Sequence, residues 1–284
     1  GPGGGSGAVS ARGSHLAILP FENQGPAEDA YFADGIADEV RGKLARVNGI
    51  TVIASSSAGQ YRSSTKSPQE IAKELGADYL LVGKVRWAGA ASGARRVQVV
   101  PELVDGRTGA TTWQQSFDTD VTDVFEVQSQ IATKVAGALG IALGGAEEQQ
   151  LAQRPTKSLE AYQLFLRARS QTGEAGFREA VRLLEQAVAI DSTFVEAWTL
   201  LSVNLARLYG GTVERTDVVK ARAREAMERA VALDPTSAAA HTAAARYHRG
   251  WIGESRSEIM RHLVVRIDGH DDIRSLAHGG ALAI

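Results

Sequence analysis

The sequence predicts two unlike halves: an α+β domain with a mixed sheet and helices mainly on one face, then an all-α array of helical hairpins. Three observations lead there. The first is a duplication: Glu185-Gln-Ala-Val-Ala-Ile-Asp-Ser-Thr193 returns as Glu228-Arg-Ala-Val-Ala-Leu-Asp-Pro-Thr236. Each copy ends one amphipathic run and stands just before another apolar run. A helix that stops and restarts at once is the join of a hairpin array. The second is that the front half does not repeat, and its apolar runs switch between strand and helix periods. The third is length, since 284 residues exceed one typical domain.

Composition narrows the function. The chain is 44% hydrophobic and 23% charged, the balance of a globular protein rather than a disordered one. A formal charge of -2 and a pI near 6.4 supply no basic field for a polyphosphate, which argues against generic nucleic-acid binding. No run approaches the roughly 20 apolar residues of a membrane helix, so no direct membrane span is expected. The absence of cysteine removes disulfides, thiolate nucleophiles and cysteine metal sites together, and is compatible with an oxidising compartment. Residues 1–13, rich in glycine, read as a flexible linker or tag. With no initiator methionine and no signal peptide, a processed or excised fragment is expected.

Residues 14–146 form the predicted front domain. His15 to Phe21 is a short apolar run interrupted by Pro20, which suits a buried strand. Gly25-Pro26 marks a loop. Phe32, Ile36, Val40, Leu44 and Val47 recur at helical spacing, and Asn48-Gly49 supplies a left-handed stop. Ile50 to Ala54 is the second strand, and the serine-rich stretch to Ser67 is a loop. Pro68 opens a helix that stops at Gly76. Asp78 to Trp87, Arg96 to Val104 and Ala110 to Asp118 are strands, the last two joined through the turn Asp105-Gly-Arg-Thr-Gly109. Val121 to Leu143 reads as one long amphipathic helix.

Several motifs here resemble a known family. They are Leu16-Ala-Ile-Leu-Pro-Phe-Glu-Asn23, Tyr31-Phe-Ala-Asp-Gly-Ile36, Asp78-Tyr-Leu-Leu-Val-Gly-Lys-Val85, Glu102 to Ala110, and Trp113. In this order they look like the TolB amino-terminal-like (FlgO-like) domain over about 130 residues. The resemblance implies a non-catalytic interaction domain of bacterial envelope proteins, also found following kinase, cyclase or winged-helix output domains. It further implies a periplasmic or otherwise extracytoplasmic location, and it supplies no catalytic residues.

Residues 147–284 form the predicted back domain, entered through a polar connection from Glu147 to Pro155 and a helix start at Ser158. The two nonapeptides are offset by 43 residues, more than the 34 of a tetratricopeptide repeat. The excess falls in a lengthened turn from Tyr209 to Asp217. Tyr162, Phe165, Ala180, Leu184, Ala187 and Ser192 in one copy resemble the tetratricopeptide signature. Trp198, Leu201, Ala223, Met227, Ala230 and Pro235 do the same in the next. Alanines let paired helices approach while aromatic and aliphatic side chains fill the gap. Ser237 to Arg249 opens a third hairpin, with Glu254 to Ile267 as its partner helix.

The chain holds no G-x-x-x-x-G-K-[ST], H-E-x-x-H, G-x-S-x-G or kinase loop, and no cofactor is expected. Asp34, Asp38 and Glu39 read as a solvated helix face, and Asp268, His270, Asp271 and Asp272 as a local acidic cluster rather than a metal site. His241, His248 and His262 are explained by packing or exposure, and Trp87 and Trp113 as core. In arrays of this kind the first helix of each hairpin lines the binding face. The register puts Gln163, Arg167, Gln171, Thr199, Arg207, Arg246 and Arg249 there, a set suited to an acidic or carboxylate-ended peptide. Trp251, beside Gly250 and Gly253, is the candidate interface aromatic. The expectation is a non-catalytic protein-protein interaction module, an envelope scaffold or sensor region docking partners near a bacterial membrane. Two alternatives stand beside it: a permanent accessory subunit of an integral-membrane complex, and a metal-dependent hydrolase.

Overall fold

Strand-forming runs at the start of the chain build one mixed sheet, and helical runs after residue 120 supply most of the rest. The computed structural model describes residues 13–89, 95–210 and 214–250, with the backbone alone at 88, 89, 246 and 248–250. The chain divides into two compact units at Arg154/Pro155. The linker at 1–12, the turn residues 211–213, and everything beyond 250, including Trp251 and the acidic cluster at 268–272, lie outside the described residues.

The front unit runs β1 (Ser14–Ile18), β2 (Glu22–Asn23), α1 (Ala30–Leu44), β3 (Ile50–Val52), α2 (Ser55–Ala58), α3 (Pro68–Leu75), β4 (Tyr79–Gly89), β5 (Arg95–Asp105), β6 (Thr111–Gln114), β7 (Phe117–Asp120), α4 (Val124–Ala138) and α5 (Gly145–Ala152). The long strand β4 is central. On one side β1 and then β2 pair with it in parallel, and β3 pairs in parallel with β1. On the other side β5 runs antiparallel to β4, and β6 and β7 both pair with β5. Seven strands therefore occupy five rows, because two rows are interrupted.

The first interruption has a local cause. Pro20 cannot donate to a ladder, and the next residue, Phe21, turns its ring onto Gly83 of β4. A Cβ at Gly83 would stand 2.8 Å from three ring atoms of Phe21. Glycine leaves the room in which that ring is buried to 2% exposure. Pairing resumes at once, with Gln24 N–H donating to Val85 O at 2.8 Å.

Alternation assigns the two faces. Ala17, Leu19, Leu80 and Val104 share one core with Ala58 of α2 and Ile71 and Ala72 of α3. The opposite parity, Leu16, Ile18, Leu81, Val85, Val97, Val99 and Leu103, is buried as well. That side meets α1 and α4, which also pack on each other. Helices expected mainly on one face are distributed unequally: long ones on one face, short ones on part of the other. The short α2 sits in the serine-rich stretch read as loop, where Ala58 and Tyr61 are the anchors the hydrophilic composition concealed.

Helix ends follow the capping chemistry. Ser67 and Glu70 form a reciprocal capping box at α3, Pro68 occupies the first turn, and Gly76 closes the helix at φ 63°. α4 stops at Ala138 rather than Leu143, and Gly140 takes φ 76° just beyond. The stretch from Glu147 read as a polar connection is instead helical within α5, which packs on α4 and α1 of the front unit.

The back unit contains α6 (Leu159–Arg169), α7 (Gly173–Ile190), α8 (Val195–Gly210), α9 (Asp217–Leu233) and α10 (Ala238–Gly250). Consecutive helices pack pairwise, and α10 meets both α8 and α9. Ala180, Ala187, Ala223 and Ala230 are all at most 1% exposed, so small side chains mark the helix contacts. Phe165 and Phe194 meet at 5.0 Å between centroids in the same core.

The close approach at Gly83 gives a direct test. Gly83→Ala is expected to lower the stability of the front unit by roughly 1–3 kcal/mol through overpacking against Phe21. Urea denaturation followed by tryptophan fluorescence measures it, and an unshifted midpoint counts against the packing.

Candidate partner-binding surface

The duplicated nonapeptide produces the same joint twice. Asp191 and Asp234 follow α7 and α9 with extended backbones, φ/ψ −134°/95° and −138°/91°. Each carboxylate accepts from the backbone N–H and the hydroxyl of the threonine two residues on. The distances are 2.9 and 2.6 Å for Thr193, and 2.9 and 2.7 Å for Thr236. This local competition ends the helix and aims the chain into the next one. The first joint does more, since Asp191 Oδ2 also accepts from Thr156 Oγ1 at 2.5 Å and from Lys157 N–H at 3.3 Å. Partial burial alone would raise the Asp191 pKa, but the hydrogen bonds from Thr156, Thr193 and Lys157 prevail and hold it at about 2. The start of α6 is thereby tied to the end of α7.

That tie positions the first helix, α6. Ser158 Oγ accepts from Ala161 N–H and begins α6. Gln163 and Arg167 then lie one helical turn apart on one stripe of α6, with Gln171 just past its end. Arg167 is exposed, Gln163 half-buried, and Gln171 donates its side-chain amide to Arg167 O at 3.2 Å. On α8, Thr199 and Arg207 share a stripe two turns apart. Thr199 is half-buried and spends its hydroxyl on Val195 O at 2.9 Å. Arg207 is exposed, with its guanidinium 5.1 Å from the Phe177 ring centroid. Arg246 and Arg249 are on α10, and their side chains lie outside the described residues.

Several other arginines of the unit are ion-paired, although Arg229 on α9 is exposed and, among the described residues, is not. Arg178 pairs with Glu174 and Glu214, Arg182 with Glu179, and Arg222 with Glu185. Those three belong to the second helices, α7 and α9. Among the described residues, neither Arg167 nor Arg207 has a carboxylate within ion-pair distance.

The other singled-out groups have structural roles. Asp34, Asp38 and Glu39 pair with Arg62, Arg41 and Lys43 respectively, three different cations. His241 is 4% exposed, with Nε2 2.8 Å from Pro235 O. Trp87 is half-buried and gives Nε1–H to Asn23 Oδ1 at 3.2 Å, with Phe32 5.0 Å away and Arg95 across its face. Trp113 is also half-buried. Among the described residues no three His, Asp or Glu side chains are grouped to hold a metal ion, and no helix is long and apolar enough to cross a membrane.

Sequence reasoning passed over two features of the front unit. An open cavity of about 820 Å3 at one sheet end is lined by His15, Lys73, Asp78, Asp105 and Arg107 among others. Both its carboxylates are engaged by backbone amides: Asp78 by His15 N–H at 2.8 Å, Asp105 by Arg107 and Thr108 N–H at 3.0 and 2.7 Å. The second feature is Lys43, 4% exposed, whose Nζ donates to Leu151 O at 2.7 Å and Gln153 O at 2.6 Å. Burial pushes its pKa down, opposed by Glu39. The sequence did carry a signal for it. Position 43 falls on the apolar stripe of α1, between Val40 and Val47.

Parts of the chain are similar to known proteins. Residues 12–134 match the model of the HilA/YgeH-like transcriptional regulator second domain. A protein of Rhizobium meliloti (strain 1021) named putative adenylate cyclase 3 is 34% identical over 192 residues, which cover 66% of this chain. The match spans 32% of that protein's own length. A PelC dodecamer structure from Paraburkholderia phytofirmans is 20% identical and covers 46% of this chain and 91% of that one, at a TM-score of 0.33. Lipoprotein GNA1162 from Neisseria meningitidis is 16% identical, covers 43% and 96%, and has a TM-score of 0.34.

The Asp191 network carries a pH signature. Its folded pKa lies below the ordinary carboxylate value of 3.8, so its contribution is complete above that value and is lost as pH falls through about 2. Asp191→Ala is expected to cost about 1–2 kcal/mol at pH 7 and much less at pH 2. Urea midpoints at the two pH values, for both proteins, measure the difference. An equal loss at both would mean that the carboxylate charge is not what holds the joint.

Proposed function

We propose that this chain is a protein-interaction module without chemistry of its own. Its back unit is a short tetratricopeptide-type array that receives a partner on the face made by the first helix of each hairpin, α6, α8 and α10. The observation that carries the reading is the uneven pairing of arginines. On α7 and α9, Arg178, Arg182 and Arg222 pair with glutamates of their own unit, whereas among the described residues Arg167 and Arg207 on α6 and α8 are exposed with no carboxylate within ion-pair distance, a state that Arg229 on α9 shares. A guanidinium fork offers two parallel donors to a carboxylate, so the partner chemistry that fits is an acidic or carboxylate-ended peptide. Gln163, Gln171, Thr199, Arg246 and Arg249 complete the proposed face.

The front unit, in this reading, is an envelope or sensor domain of the TolB amino-terminal-like kind, working at the extracytoplasmic side of a bacterial membrane. The motifs from Leu16 to Trp113 support that assignment. The likeness to part of a protein named a putative adenylate cyclase supports a related role, as a region that accompanies an output domain.

The test replaces Arg167 and Arg207 together by glutamate. A photo-cross-linking residue at Gln163 is introduced in cells, and the captured neighbours are compared with and without the charge reversal. At least a tenfold drop in capture is expected, equivalent to about 1.4 kcal/mol, with the unfolding midpoint within about 0.5 kcal/mol of the parent. Undiminished capture moves the binding site off this face.

A further inference from the structure

We propose that α5 is a strap held folded by the front unit, and that the buried ammonium of Lys43 is its latch. α5 has little reason to be helical alone. It is eight residues long, Gly-Ala-Glu-Glu-Gln-Gln-Leu-Ala, and Leu151 is its one buried side chain. Isolated helices shorter than about 12–15 residues are marginal in water even with favourable sequences. Its order comes from outside.

Three attachments supply that order. At the start, Glu147 Oε1 accepts from Asn48 N–H at 3.2 Å and Asn48 Nδ2 at 2.9 Å, while Oε2 accepts from Gly144 N–H at 3.0 Å. At the end, Lys43 Nζ donates to Leu151 O and Gln153 O. Just beyond, the Arg154 guanidinium lies 5.9 Å from the Phe125 ring centroid. The Asn48–Glu147 hydrogen bonds are exposed, so water replaces them at little cost. The latch is different. A charged donor at 4% exposure cannot be withdrawn without leaving two helix-end carbonyls unpaired and the ammonium with Glu39 alone, 3.8 Å away. One side chain on α1 therefore decides whether the end of α5 is fixed.

The consequence concerns how much chain is free ahead of the back unit. With the latch closed, the front unit continues to Arg154 and the ordered start of α6 follows within a few residues. With it open, the end of α5, from about residue 149 to Pro155, is added to the free stretch. Opening this one contact thus lengthens the tether. This inference is independent of where a partner binds.

Hydrogen-deuterium exchange of the full chain tests it. In the parent protein the amides of residues 149–152 are expected to exchange as slowly as those of α1, within tenfold. In Lys43→Met they should exchange at least tenfold faster, with β4 and β5 unchanged and a new thermolysin cut beside Leu151. Coil-like exchange across α5 in the parent, or unchanged protection in the variant, overturns the proposal. Should Lys43→Met fail to fold, Lys43→Gln serves instead, because the shorter amide cannot span both carbonyls. The parent measurement decides in either case whether α5 is held at all.

Discussion

Helix termination by an aspartate in extended backbone is the constraint on which the back unit depends. A carboxylate that captures a hydroxyl and an amide two residues ahead stops a helix and restarts the chain in a fixed direction, with serine between them in one copy and proline in the other. Asp191 and Asp234 do this with nearly the same angles and distances. Their equivalence repeats the joint between α7 and α8 at the passage from α9 to α10. The alanines that precede each aspartate then have a defined purpose. They stand where helices touch, and a larger side chain there meets a neighbour whose position the joint has already set.

The front unit is held by a different principle, burial on both faces of a sheet. Leu16 and Ile18 go beneath α1 and α4, while Ala17 and Leu19 go beneath α2 and α3. Such a strand shows no apolar-polar alternation, and the run Leu16 to Leu19 reads as uniformly apolar for that reason. The two units thus solve the same problem with different periodicities, and polar chemistry is confined to ends, caps and exposed stripes.

Much of this was legible in the residues. The Pro68 start, the Gly76 stop and the hairpin turn at Asp105 to Gly109 follow from local rules, and the structure contains each. So do the stripes bearing Arg167 and Arg207, since helical register alone assigns them. What could not be read depends on contacts distant in sequence. α5 has no apolar stripe to announce it, and its helix exists because Lys43 lies more than a hundred residues earlier. The outer strand was read as continuous, yet Gln115 and Ser116 break it into β6 and β7, a break with no proline to mark it. The short α2 was hidden by serines, which favour loops by composition but not when Ala58 has a core to enter.

That broken outer row bears on solubility. A long, regular, uncharged border strand is a template onto which further chains add. Here the register slips between Leu103 and Val104, pairing lapses after Gln114, and Asp118 and Asp120 of the final segment are charged side chains paired with Arg96 of β5. An incoming strand would find no uninterrupted run of donors and acceptors to match. The sheet can therefore stay open at this margin while the protein resists stacking into fibres.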